Sequence, residues 1–257
     1  MAEIKVISYN VNGIRSAVTK GFVDWLKKEN PDVICLQEIK VAKEDFDPKP
    51  FEALGYHTHI FSAVKKGYSG VAVFSKIKPD NVVHGTGIKQ YDDEGRNLRI
   101  DIKDVSIMSS YFPSGTTGDE RQAVKMQYLD DFFHFIHDVA KTRKKLLVCG
   151  DYNIAHTEID IHNPVSNKDT SGFKPEERAW MQKYFDSGFI DTFRHFNKEA
   201  HQYSWWSFRA NSRANNKGWR IDYIAATKAL EKNLLESRIM QDIVHSDHCP
   251  VYTKIKV

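Results

Sequence analysis

The feature that most constrains this chain is a recurrence. Short apolar runs, rich in β-branched and aromatic residues, are broken again and again by Gly, Pro, Asn or Asp. Runs of that kind read as strands. They fall at residues 4–9, 33–37, 57–62, 70–75, 98–102, 105–111, 146–149, 221–226 and 251–257. Other segments have helical spacing instead. Residues 21–29 set Phe22, Trp25 and Leu26 on one side and stop before Asn30-Pro31, where the proline disfavours helix in the residue ahead of it. Residues 120–141 place Leu129, Phe132, Phe133, Ile136, Val139 and Ala140 at the i, i+3, i+4 positions of one helix face. Residues 175–187 open with Pro175, Glu176 and Glu177 and stop at Gly188. Many strands with few helices predict an α/β sandwich, two packed sheets with helices outside. No repeat, low-complexity stretch or Pro/Gly/Ser-rich linker interrupts the sequence, so one domain over 1–257 is expected.

Composition removes other classes. The hydrophobic fraction is 41% and the charged fraction 28%, ordinary for a globular chain. No apolar run approaches the ~20 residues that a bilayer span requires, so no membrane association is expected. The start, Met1-Ala2-Glu3-Ile4-Lys5, enters an apolar alternation without a basic region followed by an apolar one. A secretion signal is therefore not expected and the location reads as cytoplasmic. Cys35, Cys149 and Cys249 are odd in number, lack CxxC spacing and lie in or beside apolar runs. They read as buried thiols in a reducing compartment, neither disulfides nor a zinc site. The net charge of +3 is too small to announce a nucleic-acid binder.

The chemistry lies where the apolar runs end. Asn10 and Asn12 follow the first run, Glu38 the second, and Asp151 and Asn153 the run through Cys149. Asp222 sits in GWRIDY, and Asp247-His248 precedes the last run. A carboxylate so close to buried chain costs desolvation unless it is paired, hydrogen-bonded or bound to a metal. If these ends share one sheet edge, they form one acidic pocket. Its donors are oxygens plus one His, which suits Mg²⁺ or Mn²⁺. Mg²⁺ takes few protein carboxylates and typically partners phosphate, so the pattern points to metal-assisted phosphoryl transfer.

The same blocks carry a resemblance. Ser8-Tyr9-Asn10-Val11-Asn12-Gly13-Ile14-Arg15, Leu36-Gln37-Glu38-Ile39-Lys40, Gly67-Tyr68-Ser69-Gly70 and Tyr111-Phe112-Pro113 resemble motifs of the exonuclease III family of apurinic/apyrimidinic (AP) endonucleases. So do Gly150-Asp151-Tyr152-Asn153, Ser171-Gly172-Phe173, Pro175-Glu176-Glu177-Arg178, Gly218-Trp219-Arg220-Ile221-Asp222-Tyr223 and Ser246-Asp247-His248-Cys249-Pro250. They run in family order over nearly the whole chain. The resemblance implies a four-layer α/β sandwich of the DNase I-like kind, with two mainly antiparallel sheets flanked by helices. It implies a Mg²⁺-dependent enzyme, Mn²⁺ substituting, that cuts duplex DNA 5′ to an abasic site and leaves a 3′-hydroxyl. Exonuclease action from 3′ to 5′ and cleaning of blocked 3′ ends would accompany this. No obligate protein partner is implied, and a monomer is expected.

The resemblance also implies roles. Glu38 is the principal metal carboxylate, with Asn10 and Asp247 beside the ion and Asn12 in the catalytic set. Asp151 orients and deprotonates the attacking water or serves as a further metal ligand; both readings stay open. Asn153 holds that water, a phosphate oxygen or the metal. His248 contacts the scissile phosphate and Asp222 holds its other nitrogen. Tyr111 contacts the phosphate or leaving group. Trp205 and Trp219 line a small pocket for a flipped-out sugar without its base, and Arg209 enters the duplex nearby. Arg15, Lys40, Tyr68, Asn167 and Lys168 contact the DNA backbone. Arg213, Lys217 and Arg220 add basic charge to the stretch after the aromatic cluster.

Three positions depart from the family pattern. Ser114 stands where Asn is usual, His245 where a small residue is common, and Tyr9 where Trp is common. A long N-terminal extension is not expected. The wider superfamily includes general nucleases, inositol-phosphate phosphatases and sphingomyelinases, but GWRIDY and the aromatic cluster favour DNA repair. A degenerate member that only binds nucleic acid would lack the carboxylate–His set, which is present here.

Overall fold

The apolar runs assemble into two six-stranded sheets. The structure is a computed structural model and describes residues 3–257. One sheet contains β1 (Glu3–Asn10), β2 (Val33–Gln37), β3 (His57–Phe61), β4 (Val71–Ser75), β13 (Leu234–Ile239) and β14 (Val251–Lys256). Their order is β13-β14-β1-β2-β4-β3. The other contains β5 (Asn81–His84), β6 (Asn97–Ile102), β7 (Val105–Tyr111), β8 (Lys145–Asp151), β9 (Phe189–Asp191) and β12 (Asp222–Thr227). Their order is β5-β6-β7-β8-β12-β9. The two-residue strands β10 (Trp205–Trp206) and β11 (Gly218–Trp219) form a separate ribbon. The helices are α1 (Ile14–Thr19), α2 (Phe22–Glu29), α3 (Lys49–Glu52), α4 (Lys89–Asp92), α5 (Asp119–Thr142), α6 (Pro175–Asp186) and α7 (Thr192–Phe196).

Each sheet has one parallel pair near its centre, β1 with β2 and β7 with β8. The other pairs are antiparallel. A parallel pair needs a long crossover, supplied by α1 and α2 in one sheet and by α5 in the other. Phe22, Trp25 and Leu26 of α2 pack on Ile7, Ile34 and Phe74, on the outer face of the first sheet. Leu129, Phe132 and Ile136 of α5, with Trp180 and Met181 of α6, cover Met108, Val148 and Tyr223 of the second. Val6, Cys35 and Val73 meet Ile107, Leu147 and Ile224 between the sheets. The result is the four layers expected. Val33-Ile34-Cys35-Leu36 is apolar throughout because β2 is buried on both faces. Each such core side chain contributes about 1.5–3 kcal/mol by leaving water.

The expected elements hold to within one or two residues at each end. Residues 21–29 become α2, begun after Gly21 at φ 89° and closed by Asn30 at φ 52°, whose N–H binds Leu26 O. The strand expected at 146–149 runs further, to Asp151, so its polar terminus lies inside the ladder. α1, β5, β9, β13 and the β10–β11 ribbon lie outside the sequence expectations. They are short, or, like β13, half-exposed without strict alternation. All three cysteines are free and buried. No helix among the described residues is long and apolar enough to cross a membrane.

Topology brings the polar run ends together. β1, β2, β7 and β8 end at the same edge of the stacked sheets. β12 is antiparallel to β8, and β14 to β1, so the starts of β12 and β14 lie at that edge too.

Candidate active site

Asn10 closes β1, Tyr111 closes β7 and Asp151 closes β8, where it pairs in register with Tyr111 on one side and Asp222 on the other. Glu38 follows β2 at φ 51°, and Asn153 follows β8 at φ 53°. Left-handed residues other than glycine are uncommon, and these two sit where the chain leaves the sheets. The Asn10 amide bridges the two sheets: Nδ2 donates to Glu38 Oε1 at 2.8 Å and to Asp151 Oδ2 at 2.9 Å. His248 Nδ1 lies 2.8 Å from Asp222 Oδ2, and Nε2 lies 3.9 Å from Asp151 Oδ2. Ser204 Oγ donates to the same Asp222 oxygen at 2.7 Å. Asn153 N–H donates to Asp151 Oδ1 at 2.8 Å and its Nδ2 to Phe112 O at 2.9 Å.

Asp247 accepts from Asn12 Nδ2 at 2.9 Å, from Ser246 Oγ at 3.1 Å and from Trp205 Nε1 at 3.1 Å. Lys40 Nζ reaches Glu38 Oε2 at 2.8 Å and Asn12 Oδ1 at 2.5 Å.

These groups open into a cavity of about 310 Å³. Glu38, Asp151, Asp247, His248, Tyr111 and Asn153 form its floor, while Trp205, Trp219 and Ile221 form an apolar wall. Ser114, Thr116, Thr170 and Ser171 complete the lining. Trp205 and Trp219 are direct partners across the ribbon, their rings edge-to-face at 6.2 Å. The ribbon is anchored to the site because Trp206 N donates to Asp247 O, and Cys249 N to Ser204 O.

Burial and charge set the protonation states. Burial pushes the Asp151 carboxyl up, and the Asp222 and Glu38 charges add to this; His248 opposes, leaving it at about 8. Burial disfavours the His248 cation, but Asp222, Asp151 and Asp247 overcome this and raise it to about 10. Burial also pushes Glu38 up, yet Lys40 and the Asn10 amide hold it below the usual carboxylate range. The Tyr111 phenol is raised by burial, Glu38 and Asp151, so it stays neutral and a donor.

The donor chemistry fits a divalent cation. Glu38 and Asp151 each present a carboxylate oxygen, and these atoms lie within 4.8 Å of each other and of a His248 ring nitrogen. The Lys40 ammonium against Glu38 shows that this spot favours positive charge. Asn10 and Asp247 border the cluster with their oxygens engaged, Asn10 Oδ1 by Asn12 N–H and Asp247 by the three donors above.

A profile described as the Endonuclease/Exonuclease/phosphatase family matches residues 7–248. The chain belongs to that family. An exodeoxyribonuclease of Bacillus subtilis is 40% identical over 256 residues, 99% of this chain and all of that protein. An AP endonuclease from Archaeoglobus fulgidus superposes with TM-score 0.90 at 30% identity, covering 99% of this chain and all of that one. A variant of the 3′ phosphatase NExo from Neisseria, bound to product DNA hairpin, gives 0.91 at 26% identity with 99% and 100% coverage.

Of the residues expected from the sequence to contact DNA in this member of the Endonuclease/Exonuclease/phosphatase family, only some reach the cavity. Trp205 and Trp219 line it. Lys40 sits on Glu38. Arg209 is exposed in the loop beyond β10, ahead of Ala210 and Asn211 at φ 53° and 52°. Lys168 is exposed on the 163–171 loop, but the Asn167 amide folds back onto His162 O and Asn163 O. Tyr68 OH joins a network with Arg96, Arg121 and Glu94. Arg15 opens onto a neighbouring cleft beside Phe46 and Asp47.

Two basic residues assigned to the stretch after the aromatic cluster are used internally. Arg213 stacks on Trp206 and donates to the carbonyls of Gln241, Ile243 and Ser246. Arg220 is fully buried between Asp160 and Asp191. Sequence reasoning missed Ser204 and the wall residues Thr116 and Thr170. Ser204 sits inside an aromatic run, and nothing in its spacing pointed to Asp222.

Proposed function

We propose that this chain hydrolyses the phosphodiester 5′ to abasic sites in duplex DNA, leaving a 3′-hydroxyl, with Mg²⁺ as its cofactor and Mn²⁺ able to replace it. Trimming and cleaning of 3′ ends occur at the same site. The class rests on its relatives: the chain is a hydrolytic DNA-repair nuclease of the exodeoxyribonuclease and AP endonuclease kind. The observation that carries the finer reading is one cavity with an ionisable floor and a tryptophan wall.

In this reading Asp151 takes the proton of the attacking water, its basicity raised above that of an ordinary carboxylate by burial and by the Asp222 and Glu38 charges. Asn153 holds the water or a phosphoryl oxygen. His248, charged and fixed by Asp222, donates from Nε2 to the phosphoryl oxygens as negative charge gathers there. The neutral Tyr111 phenol donates to the phosphate or the leaving oxygen. A divalent ion held by Glu38 and Asp151 would neutralise phosphoryl charge and stabilise the leaving 3′ oxygen. Asn10 sets the spacing of those two carboxylates, and Asn12 and Asp247 order the rim around them.

Trp205 and Trp219 accept a sugar without a base, because such a nucleotide is small and costs little to unstack. Lys40 exchanges its Glu38 partner for phosphate when DNA and metal arrive. Arg209, Lys168, Arg15, Tyr68 and Asn167 surround the duplex. Residues 1–257 act as one catalytic domain, monomeric and cytoplasmic.

The deciding experiment uses duplex DNA containing one tetrahydrofuran abasic analogue, with Mg²⁺, Mn²⁺ or EDTA. A nick immediately 5′ to the analogue, lost in EDTA, is expected. Absence of a metal-dependent nick with both ions rejects the assignment.

A further inference from the structure

Behind the cavity lies an ion pair that hydrolysis itself does not use. Lys125 of α5 and Glu177 of α6 are both 0% exposed, with Nζ 2.7 Å from Oε1. A dry charge pair is a poor way to stabilise a core, because apolar residues of the same volume generally serve as well or better. Its other bonds indicate what it does. Lys125 Nζ donates to the carbonyl of Asn153 at 2.8 Å. Glu177 Oε2 accepts from Gly172 N at 2.6 Å and from Lys174 N at 3.0 Å. Gln122 Nε2 donates to Glu177 Oε1 at 3.0 Å, and Gln122 Oε1 accepts from Ser171 Oγ at 2.7 Å.

Every one of these contacts ends on a segment that shapes the cavity. Asn153, Ser171 and Gly172 line it directly. Asn153 is held at φ 53°, a left-handed conformation that persists in a non-glycine residue only when its surroundings support it, and Gly172 lies at φ 97°, which glycine alone adopts freely. The Gly172 position is also tight: a Cβ there would lie 2.9 Å from the Trp219 ring and 3.0 Å from Asn153 O. Gly172 is thus packed against the Trp219 ring, and a small shift of residues 171–172 moves that ring within the cavity.

We propose that Lys125 and Glu177 are positioning residues, which fix from behind both the Asn153 turn and the Gly172 wall and so couple turnover to the width of the lesion pocket. This rests on the AP endonuclease reading above. Neither side chain touches substrate. The ammonium aligns the Asn153 carbonyl and hence the Asn153 amide over Asp151. The carboxylate sets the Gly172 backbone against which Trp219 packs. Only a cation that also donates to Asn153 O, opposite an anion that also accepts from Gly172 N, meets both demands.

The test compares three forms of the full chain: wild type, Lys125→Met/Glu177→Gln, and Lys125→Arg. The double variant leaves no buried unpaired charge, so it is expected to fold with a Tm near that of wild type. Its kcat on the abasic-analogue duplex should fall about 10- to 100-fold with KM within about twofold, as when positioning of the reacting groups is lost. Its preference for the abasic duplex over an intact recessed 3′ end should fall at least about fivefold. Lys125→Arg should restore most of both.

Wild-type kcat and preference in the double variant overturn the proposal. So does a fall in kcat and Tm together with preference unchanged, which is a purely structural effect. Amide hydrogen exchange at Gly172 and Asn153 supplies a readout that needs no substrate. Faster exchange there, with the sheets still protected, supports the pair; unchanged exchange overturns it. If wild type itself fails to nick the abasic duplex, the functional reading falls while the exchange arm still decides the role of the pair.

Discussion

Asp151 is pulled in opposite directions by its neighbours. Burial, Asp222 and Glu38 favour its proton, and His248 favours its charge. A cation that binds Asp151 must displace that proton. Apparent affinity for Mn²⁺ should therefore tighten by up to about tenfold per pH unit below about 8 and level off above it, measurable by calorimetry. A flat profile would separate Asp151 from the ion. Asp151→Asn should lower turnover about 10²- to 10⁴-fold while binding of uncut abasic duplex stays within a few-fold, since shape is kept and a proton acceptor lost.

His248 gives a stability signature with the opposite partner. Its folded pKa is raised to about 10 from an ordinary 6.5, chiefly by Asp222 against the cost of burial. The pair's contribution is fully present below about pH 6.5 and is lost as pH rises through about 10. Urea unfolding should show a gap between wild type and Asp222→Asn that narrows over that window. Most of these residues were legible one by one, because polar groups at the ends of apolar runs are unusual. Their division of labour was not: that Asn10 spans Glu38 and Asp151, or that Ser204 supports Asp222, depends on residues far apart in sequence meeting across two sheets.

At the scale of elements, the β10–β11 ribbon has only two residues per strand, yet it places Trp205 and Trp219 in the cavity lining. Two residues per strand cannot hold register by themselves; the ribbon is fixed by bonds to Asp247 and Cys249. Trp205→Ala should relax discrimination between abasic and intact duplex, and unchanged discrimination would reject the pocket. Gly172→Ala acts on the backbone against which Trp219 packs. Its Cβ meets the Trp219 ring at 2.9 Å in a left-handed conformation at φ 97°. It should cost about 1–3 kcal/mol in stability and lower kcat/KM for the abasic duplex more than for a frayed 3′ end. Long elements such as α5 were legible because their periodicity is sustained over many residues. The ribbon and α1 were not, because pairs and single turns carry too few positions to show a period.

For the whole molecule, the candidate cation site straddles the layers: Glu38 directly follows β2 of one sheet and Asp151 closes β8 of the other. A bound ion would clamp them. At a hundred times its Kd, Mg²⁺ should add about 2.7 kcal/mol to stability, a rise in Tm of several degrees by thermal shift. Glu38→Gln should abolish the rise.

The Asn12–Asp247 contact joins residues 235 apart in sequence, and β14 lies between β1 and β13. A nascent chain released as far as residue 245 would already hold Glu38, Asp151 and Asp222, but neither the imidazole nor the strand that seats it. The cutting centre is thus completed only after both sheets have most of their strands. A prematurely ended chain lacks both His248 and the interior strand β14, so it cannot bring Glu38, Asp151 and an imidazole together.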